Sequence, residues 1–242
     1  MEEAVPQPSL RDRRSAPAAH AAGVRAMFDR IAPRYDLLNR IVSGGMDQRW
    51  RRRVVEEVAR APRGSYVDLC AGTLDLAAML AAAFPRERVV AVDLAEEMMR
   101  AGREKAPRVE TVAGDVCALP FEDATFAAAT CGFGVRNVSS VEAFASEALR
   151  VLRPGGALVV LEAFHPERPL GAALHRAYVG RVFPALGALL VRDRAPYEYF
   201  VQSVGAFLSR RDFERLLQNA GFSRVRGFDV FLGLAGIVVG EK

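Results

Sequence analysis

The sequence predicts an α/β fold, a mainly parallel sheet of seven strands with helices on both faces. Three observations predict it. From Gly64 onward, short apolar runs alternate with segments of helical period, the pattern of repeated βα units that builds a parallel sheet. The first apolar run, Tyr66 to Leu69, leads into a turn of small residues, Cys70-Ala71-Gly72-Thr73, where backbone can approach a ligand closely. The second run ends on Asp93, about 20 residues after that turn, the spacing at which a carboxylate meets a nucleotide ribose.

Taken in order, Met1 to Ala22 is rich in Ala, Arg and Pro without an apolar period, and reads as a mobile tail. One domain, 23–242, follows. Its first part, 23–60, holds helical segments. Val24, Met27, Phe28 and Ile31 share a helical face before Pro33 breaks it ahead of Tyr35, Leu37 and Leu38. Asp47 opens another helix with Trp50, Val54, Val55 and Val58 on one side, and Ser43-Gly44-Gly45 links the two. Lying before the first strand, these helices either form a lid over the ligand or pack without a role at the site. Strand one covers 65–69 and its helix 75–84. Strand two covers 88–93 and its helix 95–106, with Glu96 and Glu97 in the first turn. Strand three, Val109 to Ala113, ends at Gly114-Asp115; strand four, Phe126 to Cys131, ends at Gly132-Phe133-Gly134. A helix from Val141 to Leu152 stops at a Pro154-Gly155-Gly156 turn, and strand five is Ala157 to Glu162.

Residues 166–196 leave the alternation. Leu174, Tyr178, Val182, Phe183, Leu186 and Leu190 carry a helical spacing, which reads as an inserted helical pair that either admits a lipid-like substrate or packs on the sheet edge. Ser209 caps a helix running to Ala220, Gly221 stops it, and strands 224–231 and 233–239 close the sheet as an antiparallel hairpin.

Two cofactors compete for the turn. A dinucleotide site uses three glycines spaced for a pyrophosphate, and here there is one, Gly72. S-adenosylmethionine carries no phosphate. Its amine and ribose suit Asp68, just before the turn, and Asp93 after the next strand. The reading therefore favours a methyltransferase over a nucleotide-dependent dehydrogenase. Against either stands a turn glycine with two capping aspartates.

Composition bounds the rest. The chain has 242 residues, 51% of them hydrophobic, with 33 basic and 29 acidic residues. Arginines cluster in the first 53 residues, Arg49, Arg51, Arg52 and Arg53 among them. That bias suits an anionic membrane surface or a solvated helix face, and nucleic acid is not expected as a partner. Cys70, Cys117 and Cys131 have no metal-ligand spacing and read as small buried residues. The apolar run Val182 to Val191 contains Pro184 and Gly187 and is too short to span a bilayer. The first residues lack the apolar core of a signal peptide, so the expected place is the cytoplasm, with a peripheral position at the inner face of the membrane left open.

Four segments carry a resemblance: Phe28 to Asn39, Gly44 to Arg51, Gly114-Asp115 with Leu119-Pro120-Phe121, and Gly132 to Val138. From Val24 to Lys242 the chain resembles the ubiquinone/menaquinone biosynthesis C-methyltransferases. The resemblance implies a class I, Rossmann-like methyltransferase fold, S-adenosylmethionine as cofactor, and C-methylation of a prenylated quinol ring. Demethylmenaquinol is the first expectation and a ubiquinone-precursor benzoquinol the alternative. It implies Thr73, Asp93, Asp115 and Val116 as cofactor contacts, with Asp93 toward the ribose hydroxyls and Asp115 toward the adenine amine. Asp68 and Gly72 join them from the turn. Gly132 contributes backbone alone where the family often has Ser. Leu74 stands in place of a usual Gly, Val238 of a usual His, and Leu208 where Pro is frequent.

For catalysis the resemblance points to Arg136 and Asn137 at the mouth of strand four. Arg136 would face the developing phenolate and Asn137 the quinol oxygen, with Tyr35 on the lid as a further candidate. The competing expectations are an Arg136 paired with an acid and an Asn137 that caps the next helix. His165 reads as a surface-turn residue, and His20 falls in the tail. A reading of another class is a weakly active scaffold that organises other quinone enzymes. A homodimer is left open.

Overall fold

Short apolar strands buried on both faces dictate the architecture. The computed structural model describes residues 15–167, 195–230 and 235–242. Among these, the helices are α1 (Pro17–Ile31), α2 (Tyr35–Ser43), α3 (Asp47–Val58), α4 (Asp75–Ala83), α5 (Glu96–Ala101), α6 (Val141–Val151), α7 (Ala195–Ala206) and α8 (Arg210–Asn219). The strands are β1 (Tyr66–Leu69), β2 (Val89–Asp93), β3 (Glu110–Ala113), β4 (Phe126–Gly132), β5 (Leu152–Glu162), β6 (Ser223–Asp229) and β7 (Gly236–Glu241).

They form one seven-stranded sheet in the order β3-β2-β1-β4-β5-β7-β6. The first five strands are parallel; β7 runs antiparallel to both β5 and β6. Alternate side chains feed two cores. Val67 and Leu69 join Phe144, Phe213 and Leu217 from α6 and α8 on one face. Tyr66 joins Leu76 and Leu80 of α4 and Val54 and Val58 of α3 on the other. Strand order reverses between β1 and β4, and in such sheets ligands bind outside the carboxyl ends at that switch point.

Three expectations are corrected. The tail does not reach Ala22, because α1 starts at Pro17, a residue suited to the first helical turn. Its inward stripe is His20, Gly23, Val24 and Met27, and a His and a Gly hid the period. Pro154-Gly155-Gly156 is the irregular start of β5 and not a turn. Gly155 N–H donates to Lys242 O at 3.0 Å and Lys242 N–H to Gly156 O at 2.9 Å, so the end of the chain holds the segment extended. The helix expected over 95–106 is α5 followed by a 3₁₀ turn at Arg103–Lys105. It breaks at Gly102, where a Cβ would lie 2.0 Å from the carbonyl oxygen of Thr73. The insertion expected over 166–196 falls almost wholly outside the described residues.

Candidate active site

A cleft of about 610 Å³, open mouth included, lies over the carboxyl ends of β1, β2 and β4. The turn after β1 forms its floor. Cys70, Gly72 and Leu74 all have positive φ, at 55°, 52° and 66°, which coils the turn tightly and costs about 1 kcal/mol or more at each residue bearing a Cβ. The Asp93 carboxylate holds the turn. Its Oδ2 accepts the Gly72 N–H at 2.8 Å and its Oδ1 the Ala95 N–H at 2.8 Å. Burial raises the Asp93 pKa and these two donors oppose the rise. Asp93 lines the cleft, and each of its oxygens retains a lone pair for a ligand hydroxyl.

Beyond β3, Asp115 and Val116 also line the cleft. Asp115 Oδ1 accepts the Cys117 N–H at 2.8 Å, leaving Oδ2 for an exocyclic amine. Gly72, Gly132 and Gly134 present backbone to the cleft. At Gly134 a Cβ would sit 2.2 Å from the Cys70 Cβ, so a side chain there would push apart the turns that follow β1 and β4. Cys70 sits in the cleft wall. Contact with Cys131, then burial, pushes its thiol well above the ordinary value. Among the described residues no His, Cys, Asp and Glu cluster suits a metal ion.

Asp68 lies behind the turn rather than on the cleft. It is buried, and Thr130 Oγ1 donates to its Oδ1 at 2.7 Å. Its Oδ2 has no hydrogen-bond partner among the described residues. Burial pushes its pKa up to about 7, with Thr130 and the Arg51 charge pulling the other way. Thr73 also faces away. Its hydroxyl donates to Asp36 Oδ1, and Lys105 Nζ bridges Asp36 Oδ2 and Asp75 Oδ1 at 2.6 Å each. One lid carboxylate thus ties α2 to the turn.

The N-terminal helices do cover the site. Ala21, Val24, Phe28 and Tyr35 line the cleft, with the Phe28 and Tyr35 rings edge-on at 5.9 Å. Burial raises the Tyr35 phenol pKa, and the Arg136 and Arg51 charges lower it. Arg51 is not part of an exposed basic face. It is buried, donates to Asp47 at 2.9 Å, and lies 5.7 Å from the Phe133 ring centroid.

Arg136 and Asn137 lie in the 3₁₀ turn after β4, both buried. Arg136 pairs with the buried Glu162 at the end of β5. Its Nη1 donates to Glu162 Oε1 and to Phe133 O at 2.7 Å each, and its N–H to Glu162 Oε2 at 3.1 Å. Burial opposes the charge, but Glu162 holds the guanidinium pKa above its ordinary value. Arg136 also lies 4.9 Å from the Phe200 ring centroid. The expected pairing with an acid is therefore present, yet Arg136 Nε has no partner among the described residues. Asn137 does not cap α6; Ser140 does, accepting the Ala143 N–H at 3.1 Å. Asn137 lines the cleft, and its Oδ1 has no partner among the described residues.

Sequence reading missed two residues here. His20 is buried, with its Nε2 at 3.2 Å from Asn137 O, fastening α1 to this turn. Its signal was its place four residues before Val24 and seven before Met27. Glu162 showed itself only as an acid ending an apolar strand. His165 is exposed and meets the link between α7 and α8 through its backbone, N–H to Leu208 O at 3.0 Å.

The sheet order, the coiled turn after β1, and the cleft acids at the end of β2 and after β3 define a class I methyltransferase. A SAM-dependent methyltransferase of Thermotoga maritima superposes with a TM-score of 0.65 at 19% identity, covering 90% of this chain and 99% of that one. The sequence model of the ubiE/COQ5 methyltransferase family matches residues 16–242, and the chain belongs to that family. Its cofactor is S-adenosylmethionine, and the donor set fits it, offering carboxylates and backbone but no phosphate cradle. A Syntrophotalea carbinolica protein named ubiquinone/menaquinone biosynthesis C-methyltransferase UbiE is 43% identical over 220 residues, 89% of this chain and 92% of its own. A Thermus thermophilus protein named demethylmenaquinone methyltransferase is 42% identical over 221 residues, 89% of this chain and all of its own.

Proposed function

We propose that the protein methylates a ring carbon of a prenylated quinol in quinone biosynthesis, with demethylmenaquinol as substrate. The names of the Syntrophotalea and Thermus relatives support the quinone class, and the Thermus name favours the naphthoquinol. The observation that carries the ring-binding reading is a pair of buried atoms on adjacent residues, Arg136 Nε and Asn137 Oδ1, that have no partner among the described residues. One is a donor and the other an acceptor, the complement of a phenolic oxygen that first donates a proton and then carries negative charge.

In this reading Asp93 holds the ribose hydroxyls, Asp115 and Val116 the adenine, with Gly72 and Gly132 giving backbone, and Asp68 favours the cofactor's amine through its charge beneath the turn rather than by contact. Thr73 acts through Asp36 on the lid. Bound there, S-adenosylmethionine supplies an activated methyl group, so positioning dominates. Asn137 Oδ1 orients the ring hydroxyl. Arg136 stabilises the oxygen as its proton leaves, while Glu162 fixes the guanidinium and Phe200 covers it. Tyr35 closes the lid side of the ring site and excludes water.

The test is methyl transfer from labelled S-adenosylmethionine to short-tail demethylmenaquinol and to a ubiquinone-precursor benzoquinol. The expected result is label on the naphthoquinol, at a higher kcat/KM than on the benzoquinol. Cofactor binding without transfer to either ring would instead support the scaffold reading.

A further inference from the structure

Helix α2 makes its polar contacts with the protein on one face and leaves a partly exposed apolar stripe on the other. On a water-soluble protein the polar face of a surface helix points to solvent and the apolar face inward. Here the polar residues turn to the protein. Tyr35 lines the cleft, Asp36 bonds Thr73 and Lys105, the Asn39 amide nitrogen is buried, and Ser43 donates to Asp47 at 3.0 Å. These four fall on one side of a helix of 3.6 residues per turn. Leu37, Leu38 and Ile41 fall on the other. None of the helix's residues is buried. Leu37 is 54% exposed, the one large apolar side chain so exposed among the described residues. Leu38 and Ile41 are half-buried and belong to none of the apolar clusters of the described core.

The stretch of chain that carries this face is strongly basic. Between Arg30 and Arg53 lie seven arginines and two aspartates, with no lysine or glutamate, a net +5 in 24 residues against +4 for the whole chain. Both aspartates are engaged within the protein, Asp36 as above and Asp47 with Arg51. Arg34, Arg40, Arg49 and Arg52 are exposed. By helical spacing Arg40 lies beside the Leu37–Ile41 stripe, and Arg34, in the 3₁₀ turn before α2, lies at its N-terminal end. An apolar stripe bordered by arginines matches the interface of an anionic bilayer, where the apolar side chains enter the acyl boundary and the guanidinium groups meet lipid phosphates. Among the described residues no helix is long and apolar enough to cross a membrane, so contact through α2 would be lateral.

We propose that α2 is an interfacial helix that seats the mouth of the cleft on an anionic lipid surface. Tyr35, on its first turn, lines the cleft, so docking α2 places the opening at the level where a lipid-dissolved ring emerges. The proposal rests on the prenylated-quinol reading for its purpose, but its test does not. Co-sedimentation is measured with vesicles of phosphatidylcholine alone and mixed with phosphatidylglycerol. The parent chain should bind the mixed vesicles, less at high salt. Leu37→Glu with Ile41→Glu should lower that binding roughly tenfold or more. Arg34→Glu with Arg40→Glu should lower it about fivefold per arginine at low salt. Both pairs should keep the parent's Tm and its turnover on a water-soluble short-tail quinol.

Four results would overturn the proposal. The first is a parent chain that ignores the mixed vesicles, or variants that bind them as it does. The second is a large fall in Tm for the Leu37/Ile41 pair, which would mean that the face is covered by this chain, for instance by residues 168–194. The third is a dimer that the same pair converts to monomer in light scattering. The fourth is equal affinity for a DNA duplex, which would make the face a general polyanion site. Turnover on the soluble quinol is read separately, so failure of the substrate reading is told apart from failure of the docking surface.

Discussion

Replacing Asp68 by Asn should reverse sign with pH. Asp68 is buried, with one oxygen bonded by Thr130 and the other without a partner among the described residues, and its pKa moves from 3.8 to about 7. The folded chain therefore holds this proton more tightly than the unfolded chain. The stability linked to it is present below pH 3.8, falls as pH rises, and is lost once pH passes 7. The full penalty above that point is about 4 kcal/mol at most, since each pH unit is worth about 1.4 kcal/mol. Asn cannot ionise, but it leaves an amide N–H without an acceptor, at about 1–3 kcal/mol. The Asn variant should thus be less stable than or equal to the parent at pH 5 and more stable at pH 8. Between those two pH values the difference should swing by roughly 2–3 kcal/mol. Urea unfolding at both pH values reads it directly, with the single tryptophan, Trp50, as the probe. Parallel pH profiles for parent and variant would refute the placement of the titrating carboxyl. The same variant should bind cofactor more weakly at pH 8, where the parent's Asp68 is charged.

Leu74→Gly would relieve a φ of 66°, worth about 1 kcal/mol. It also deletes a fully buried side chain, so net destabilisation of roughly 2–4 kcal/mol is expected in denaturant titration. His20→Ala should lower turnover severalfold by loosening α1 from Asn137, with His20→Gln restoring much of it; equal loss in both would assign the imidazole a different role. Asp93→Ala should weaken cofactor binding by about 2–3 kcal/mol in calorimetry and also lower Tm. Its loss strands the Gly72 and Ala95 N–H groups, and Asp93→Asn should keep more of both.

Much of the fold was legible because parallel strands declare themselves as apolar runs ending in small or acidic residues. Tyr66–Leu69, Val89–Asp93 and Phe126–Gly132 lie within a residue of their expected bounds. Asp93 and Asp115 were legible as cleft residues from their places at strand ends, whereas Asp68, read the same way, lies behind the turn. What stayed hidden depended on long-range contact. His20 looked like tail because its helix face is completed by Gly23. Arg51 looked like one of four surface arginines until Asp47 drew it inward. Pro154-Gly155-Gly156 looked like a turn because its partner is the far end of the chain, Lys242. The positive φ of Cys70 and Leu74 cannot be read from side chains that ordinarily avoid it.

The central claim is that the Arg136–Asn137 corner receives the ring oxygen. Arg136→Ala is a poor test, because it would strand the buried Glu162 charge at a cost of about 3–5 kcal/mol. Asn137→Ala is cleaner, since among the described residues the side chain makes one long hydrogen bond, Nδ2 to Phe133 O at 3.4 Å, and its Oδ1 has no partner. The decisive measurement is kcat for methyl transfer to demethylmenaquinol beside the Kd for S-adenosylmethionine in that variant. The account predicts a fall in kcat of roughly 10²-fold, with Kd and Tm close to the parent's. Parental turnover, or a loss of turnover matched by an equal loss of cofactor affinity, would contradict it.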